Sequence, residues 1–129
     1  MPIWNIIEGI KIEWRYNMDC LFCKIASGEI PSTKVYEDEN VLAFRDISPQ
    51  APVHIVLIPK IHYENILEIP FDNSVINDMI KAVQIIAKQE DMENEGFRVV
   101  NNCKEFGGQT VDHLHFHILG KRKLTWPPG

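Results

Sequence analysis

Residues His113-Leu114-His115-Phe116-His117-Ile118-Leu119 alternate imidazole and apolar side chains with a period of two. This stretch constrains the fold more than any other. On an extended strand, residues i, i+2 and i+4 share a face, so three imidazoles line up on one side. Leu114, Phe116 and Ile118 then point the opposite way, into a core. A helix would scatter the rings around its circumference. An expression tag would be a contiguous run at a terminus, and five histidines in the whole chain rarely place three in strict alternation by chance. A metal site stays open at this point, because imidazole is the commonest metal ligand.

The 129 residues suit one domain, and 45% hydrophobic content lets it bury a core without disulfides. A domain of this size still buries only about two-thirds of its unfolded surface, so dimerisation is a natural supplement. The net charge of −5 argues against a protein that coats nucleic acid, which carries a basic patch. It is compatible with a small phosphorylated ligand, for which a few backbone amides and imidazoles suffice. Three cysteines, Cys20, Cys23 and Cys103, and no secretory signal fit a reducing, cytoplasmic setting. No apolar run reaches the length of a membrane span. The expected protein is soluble, with no nucleic-acid and no membrane partner.

Apolar residues at helical spacing over Asp19 to Ala26 predict a short helix that Gly28 can close, and Ile30-Pro31-Ser32 then breaks the chain. Lys34 to Glu37 and Val41 to Arg45 read as a hairpin around Asp38-Glu39-Asn40. A proline-punctuated loop, Asp46 to Pro52, leads to a buried strand over His54 to Pro59. The clearest helix is expected to start near Asp72 as N-cap, with Val75, Ile76, Met79, Ile80, Val83, Ile86 and Ala87 on one face. Phe97 to Asn101 forms a further strand, and Gly107-Gly108-Gln109-Thr110 leads into a final one over His113 to Leu119. Hairpin-type connections imply an α+β fold, an antiparallel sheet with helices on one face. Residues 1–17 are set apart as an N-terminal extension, and 18–129 form the domain. The extension fits a helix (Ile3, Ile6, Ile7, Ile10, Trp14) or a strand (Ile10, Ile12, Trp14, Tyr16). It also fits a translated leader: Trp14-Arg15 can be encoded TGG-AGG, a purine-rich ribosome-binding stretch ahead of Met18.

The motif His113-Leu-His-Phe-His-Ile-Leu119 resembles the signature of the histidine-triad (HIT) superfamily. Cys20 to Pro31, Phe44 to Pro52, His54 to Lys60 and Gly107 to Gly129 look like its Hint branch, the closing Leu-Thr-Trp126-Pro127-Pro128-Gly129 above all. The resemblance covers roughly residues 19–129. It implies a HIT-like fold of five antiparallel strands and two helices per subunit, in a homodimer whose sheets join into ten strands. It also implies a purine nucleoside phosphoramidase that binds AMP- or GMP-type nucleotides and cleaves P–N bonds at the α-phosphorus. Some relatives accept acyl-adenylates.

The chemistry also stands on its own terms. Neutral imidazole is a good nucleophile near pH 7, because its ordinary pKa is about 6.5. A phospho-imidazole is itself labile, so one hard step becomes two easier ones. By resemblance His115 is the nucleophile and His117 holds a phosphate oxygen. His54, from a neighbouring strand, would hold the nucleophile's tautomer, although it equally fits a satisfied core histidine. Gly107, Gly108, Gln109 and Thr110 would offer backbone N–H groups and a hydroxyl to phosphate and leaving group. Thr110 stands where relatives usually place serine. Leu21, Phe22, Ile25, Phe44 and Ile47 would line the nucleoside site, Asp46 would accept from the ribose hydroxyls, and Asn101 would lie near ribose and phosphate. Asp46 also fits an Asx-type turn. Arg45 replaces a histidine common at its site, so contacts to the base are expected to differ.

Cys20 and Cys23 fall on one helix face. The resemblance to bacterial relatives adds His62 and His113 to complete a structural Cys₂His₂ zinc set, with no cofactor required for catalysis. The reading competes with a nucleotide-binding regulatory dimer whose hydrolysis is vestigial. Enzymes acting on dinucleoside polyphosphates or transferring nucleotidyl groups to sugar phosphates fit less well, given the short chain and the Trp126–Gly129 ending.

Overall fold

The computed structural model describes residues 19–72 and 74–129; the expectations for residues 1–17 lie outside them. Five strands form one antiparallel sheet: β1 (Lys34–Glu37), β2 (Val41–Arg45), β3 (Val53–Pro59), β4 (Phe97–Val100) and β5 (Phe116–Gly120). Their spatial order is β1-β2-β3-β5-β4. The α-helices are α1 (Leu21–Ala26), α2 (Val75–Gln89) and a single turn, α3 (Lys104–Gly107).

The β1–β2 hairpin holds to the residue. Asp38 anchors its turn by accepting from the N–H groups of Asn40 and Val41 at 2.8 and 3.0 Å. Gly28, at φ 87°, closes α1 as expected, in the left-handed region that favours glycine.

Both parities of β2 and β3 are buried, and they feed different clusters. Val41, Ala43, Val53, Ile55 and Leu57 pack with Leu114, Phe116 and Ile118 against α2. Leu42, Phe44, Val56 and Ile58 pack against Phe22, Cys23 and Ile25 of α1. The helices therefore cover two faces of the sheet, which corrects the expectation of one. Burying so many branched side chains, each worth about 1.5–3 kcal/mol, needs a cover on both sides.

Helix α2 begins later than expected. Phe71 and Asp72 form a turn, and Ser74 is the N-cap, with Asp78 N–H bonded to its carbonyl at 3.0 Å. Its buried stripe is Val75, Met79, Ala82, Val83, Ile86 and Ala87; Ile80, expected on this face, is 44% exposed.

The strand predicted over His113 to Leu119 is regular only from Phe116 to Gly120. The β3 ladder runs out at Pro59, which has no N–H, and its carbonyl accepts instead from His113 Nε2 at 2.8 Å. On the other flank the Asn101 side-chain amide, rather than a strand N–H, donates to the His115 carbonyl at 2.9 Å. The imidazole face survives this loss of ladder. Phe22 packs edge-on against the rings of His113 and His115, and the His115 and His117 ring centres lie 5.0 Å apart. Leu114, Phe116 and Ile118 enter the α2 core as predicted.

Candidate active site and metal cluster

The histidines fall into two groups that meet on the segment before and within β5. In the first, Cys20 at the N-cap of α1 and Cys23 one turn on face His62 and His113. Cys23 Sγ lies 3.3 Å from His62 Nδ1 and 3.5 Å from His113 Nδ1, Cys20 Sγ lies 3.4 Å from His113 Nδ1, and the two imidazole nitrogens are 3.2 Å apart. Tetrahedral zinc with ordinary bond lengths separates S···N by about 3.6 Å and N···N by about 3.3 Å, so the four donors already stand at metal-binding spacing. Because His113 Nε2 can only donate to the Pro59 carbonyl, its lone pair is on Nδ1, towards the sulfurs. The Cys20 thiol is held far below its ordinary pKa, chiefly by the hydrogen bond with Cys23 and then by those with His113 and His62. His62 is raised, chiefly by its bond to Cys20. The four residues stand close enough together to hold a metal ion.

The second group is Asp46, His54, His115 and His117. His115 is 2% exposed, and its Nδ1 lies 2.7 Å from the His113 carbonyl. A carbonyl only accepts, so Nδ1 carries the proton and Nε2 the lone pair. Burial lowers the pKa of His115, which keeps the ring neutral near pH 7. The Gln50 N–H donates to His54 Nδ1 at 3.0 Å, which puts the His54 proton on Nε2. That Nε2–H donates to His117 Nδ1 at 2.8 Å, leaving the His117 proton on its own Nε2. His117 is pushed down to about 4, first by burial and then by His115 and His54. His54 is lowered by burial against the opposing pull of Asp46, whose Oδ2 lies 3.4 Å from its Nε2. The sequence paired His54 with the nucleophile; the structure pairs it with His117, and a main-chain carbonyl holds His115.

A cleft of about 610 Å³ opens beside these rings. Leu21, Phe22, Ile25, Phe44, Asp46 and Ile47, all singled out for a nucleoside, line it together. The sequence missed Ile30, Pro31, Ser32, Thr33 and Val56. Val56 shared its strand parity with His54, and that signal could have found it. Sheet register ties cleft to histidines: Phe44 is opposite Val56, and Val56 is opposite His117.

Other predicted site residues are engaged differently. Asp46 Oδ1 accepts from the Ser48 N–H at 2.7 Å, so the Asx turn is present while Oδ2 faces His54. Arg45 makes a two-pronged ion pair with Glu90 at 2.9 Å and also lines the cleft. The N–H groups of Gly108 and Gln109 bond the carbonyls of Glu105 and Lys104 to close α3, so they are not free to cradle phosphate. Gln109 also staples the loop through its side chain, donating to the carbonyls of Glu64 and Val111 and accepting from Lys104 N–H. Thr110 stands exposed just beyond.

A Cys₂His₂ cluster thus stands beside a row of largely buried imidazoles and an apolar cleft. The HIT domain matches residues 27–124, and the chain belongs to the HIT family. It is 46% identical over 114 residues to the 14 kDa zinc-binding protein of Brassica juncea, covering 86% of this chain and 100% of that one. It is 43% identical over 107 residues to the purine nucleoside phosphoramidase of Escherichia coli, covering 82% of this chain and 90% of that one. The crystal structure of a HIT family hydrolase from Legionella pneumophila superposes with a TM-score of 0.83 at 49% identity, covering 85% of this chain and 99% of the other. These relatives support a nucleotide-binding hydrolase of the HIT family.

Proposed function

We propose that the protein hydrolyses purine nucleoside 5′-phosphoramidates through a nucleotidyl-histidine intermediate. The observation that carries this reading is the fixed tautomer of His115, whose Nδ1–H is held by the His113 carbonyl and whose Nε2 keeps its lone pair. His115 Nε2 attacks the α-phosphorus; the P–N bond breaks, and the amine leaves with its electron pair and takes up a proton. Water then attacks the same phosphorus, the P–Nε2 bond breaks, and His115 is regenerated with release of the nucleotide. His117 Nε2–H donates to a non-bridging phosphate oxygen, and such a donor can contribute about 3–4 kcal/mol in the transition state. The purine lies in the cleft of Leu21, Phe22, Ile25, Phe44 and Ile47. Asp46 and Asn101 serve the ribose side and Thr110 the leaving group. The kinship with a phosphoramidase supports the choice of substrate.

Cys20, Cys23, His62 and His113 hold zinc, which supplies structure and no step of the reaction; the donor spacing and the name of the Brassica relative support this. Residues 18–129 act as the HIT domain behind an extension of residues 1–17. A homodimer with a ten-stranded sheet is supported by β4, an edge strand with Phe97 and Val99 exposed, and by Trp126, which is 81% exposed. Among the described residues no helix is long and apolar enough to cross a membrane, in keeping with a cytoplasmic enzyme.

The test is to trap the nucleotidylated protein with a slow phosphoramidate and locate the adduct by mass spectrometry. The adduct belongs on His115; an adduct on His117 reverses the roles. Tight AMP binding with no turnover of any adenosine or guanosine phosphoramidate favours the regulatory dimer instead.

A further inference from the structure

Arg122 lies outside the residues that touch the cleft, on the exposed segment after β5. Its Nε and Nη2 both donate to the Gln50 carbonyl, at 3.2 and 3.1 Å. Gln50 belongs to the loop between β2 and β3, and this is the residue whose N–H fixes the tautomer of His54. The loop is tied to β3 at its start, where the Asp46 N–H donates to the His54 carbonyl at 3.0 Å, and internally by the Asx turn of Asp46 and the bond from Gln50 Nε2 to the Ser48 carbonyl at 2.9 Å. None of these holds the Gln50 carbonyl. Arg122 does so, bridging 72 residues of sequence.

We propose that Arg122 is a positioning residue for His117. It braces Gln50 so that the Gln50 N–H stays on His54 Nδ1, His54 Nε2–H stays on His117 Nδ1, and the His117 proton stays on Nε2. The inference rests on His117 acting as a phosphate donor, and it adds a device that holds that donor in the productive tautomer. The physical logic is that a neutral imidazole has two tautomers of similar energy, and on His54 the Gln50 donor at Nδ1 acts with the Asp46 carboxylate 3.4 Å from Nε2 to select one of them. Without the brace, Gln50 can swing away. His54 Nδ1 then becomes free to carry the proton, and the chain of bonds can reverse to leave His117 Nε2 bare. A bare nitrogen repels a phosphate oxygen instead of donating to it. A guanidinium suits this task because its planar fork reaches one carbonyl with two N–H groups and stays charged at any working pH.

The experiment compares Arg122→Ala, Arg122→Lys and the control Lys123→Ala, which removes the same charge one residue along. Long-range ¹H–¹⁵N correlation of histidine-labelled protein reads which nitrogen of each ring is protonated, and steady-state kinetics with an adenosine phosphoramidate separates kcat from KM. Arg122→Ala should show His54 and His117 as mixed tautomers and lose about ten-fold in kcat, with KM changed less than about two-fold, since misplacement of a catalytic group acts on the transition state. Arg122→Lys should recover part of both, and Lys123→Ala should match the wild type. Wild-type tautomers and wild-type kcat in Arg122→Ala would overturn the proposal. If the wild type turns over no phosphoramidate, the reading of the enzyme fails, but the spectra still decide whether Arg122 sets the tautomer.

Discussion

The Cys₂His₂ cluster and the His54–His117 pair differ in the main-chain group placed behind a histidine. Behind His113 stands the Pro59 carbonyl, an acceptor, so the far nitrogen of the ring keeps its lone pair for a cation. Behind His54 stands the Gln50 N–H, a donor, so the far nitrogen keeps its proton and gives it to His117. Asp46, His54 and His117 also bring three possible ligand atoms within 4.8 Å of one another. Composition alone would make this a second metal site. A protonated Nε2 cannot ligate, so the polarity of the backbone contact leaves the first group a lone pair aimed at the thiols and the second a proton shared between two rings. The lesson is that a histidine cluster is classified by its supports rather than by its members.

The severest challenge to this contrast is His115→Ala, which should lower phosphoramidate turnover by at least about 10³-fold while leaving AMP affinity, measured by calorimetry, near wild type. Retained turnover would mean that the lone pair on His115 Nε2 is not the nucleophile. Next in size, Cys23→Ser should abolish zinc binding, read by metal analysis, and lower Tm by about 10 °C or more. His54→Ala should leave zinc content untouched; zinc that follows His54 rather than Cys23 would erase the distinction. The same His54→Ala should cost about 10²-fold in kcat with little change in KM, as expected when a proton donor loses its orientation.

The depressed imidazoles add a pH signature. kcat/KM should stay flat as pH falls through about 6.5 and decline only below it, because His115 keeps its lone pair further into acid than a free imidazole. For His117 the unfolded chain binds the proton near 6.5 and the folded one only at about 4. Its contribution to stability is therefore complete above about 6.5, is lost as pH falls towards about 4, and changes no further below. Thermal melts across that window should show the loss, and His117→Asn should flatten it. Smallest of all, Ile47→Ala should weaken nucleotide binding about three- to ten-fold. Ile47 is 97% exposed, so stability should stay within about 0.5 kcal/mol.

Much of the fold was legible because it follows local rules. The β1–β2 hairpin and the Gly28 stop depend on residues within a few positions of each other, and both were read correctly. The two-sided burial of the sheet was also written in the chain. Val41-Leu42-Ala43-Phe44 and Ile55 to Pro59 are apolar at every position, as strands covered on both faces are, so helices on a single face did not follow from them. The start of α2 was misread because Asp72 has cap chemistry but belongs to the preceding turn. For the candidate site, the six residues named for a nucleoside all line one cleft. Partner choice was not legible. His54 meets His117 rather than His115 because of the β3–β5 register, and Arg45 meets Glu90 across 45 positions, which no local pattern encodes.

Position 113 does two separable jobs. Its imidazole joins Cys20, Cys23 and His62, while its carbonyl holds the ring of His115. The second job asks nothing of the side chain. A descendant of this chain could therefore exchange His113 and the thiols for well-packed neutral residues, and still present an oriented imidazole at 115. The donor cluster and the ring at 115 are thus uncoupled by the indifference of a peptide oxygen to what hangs from its own α-carbon.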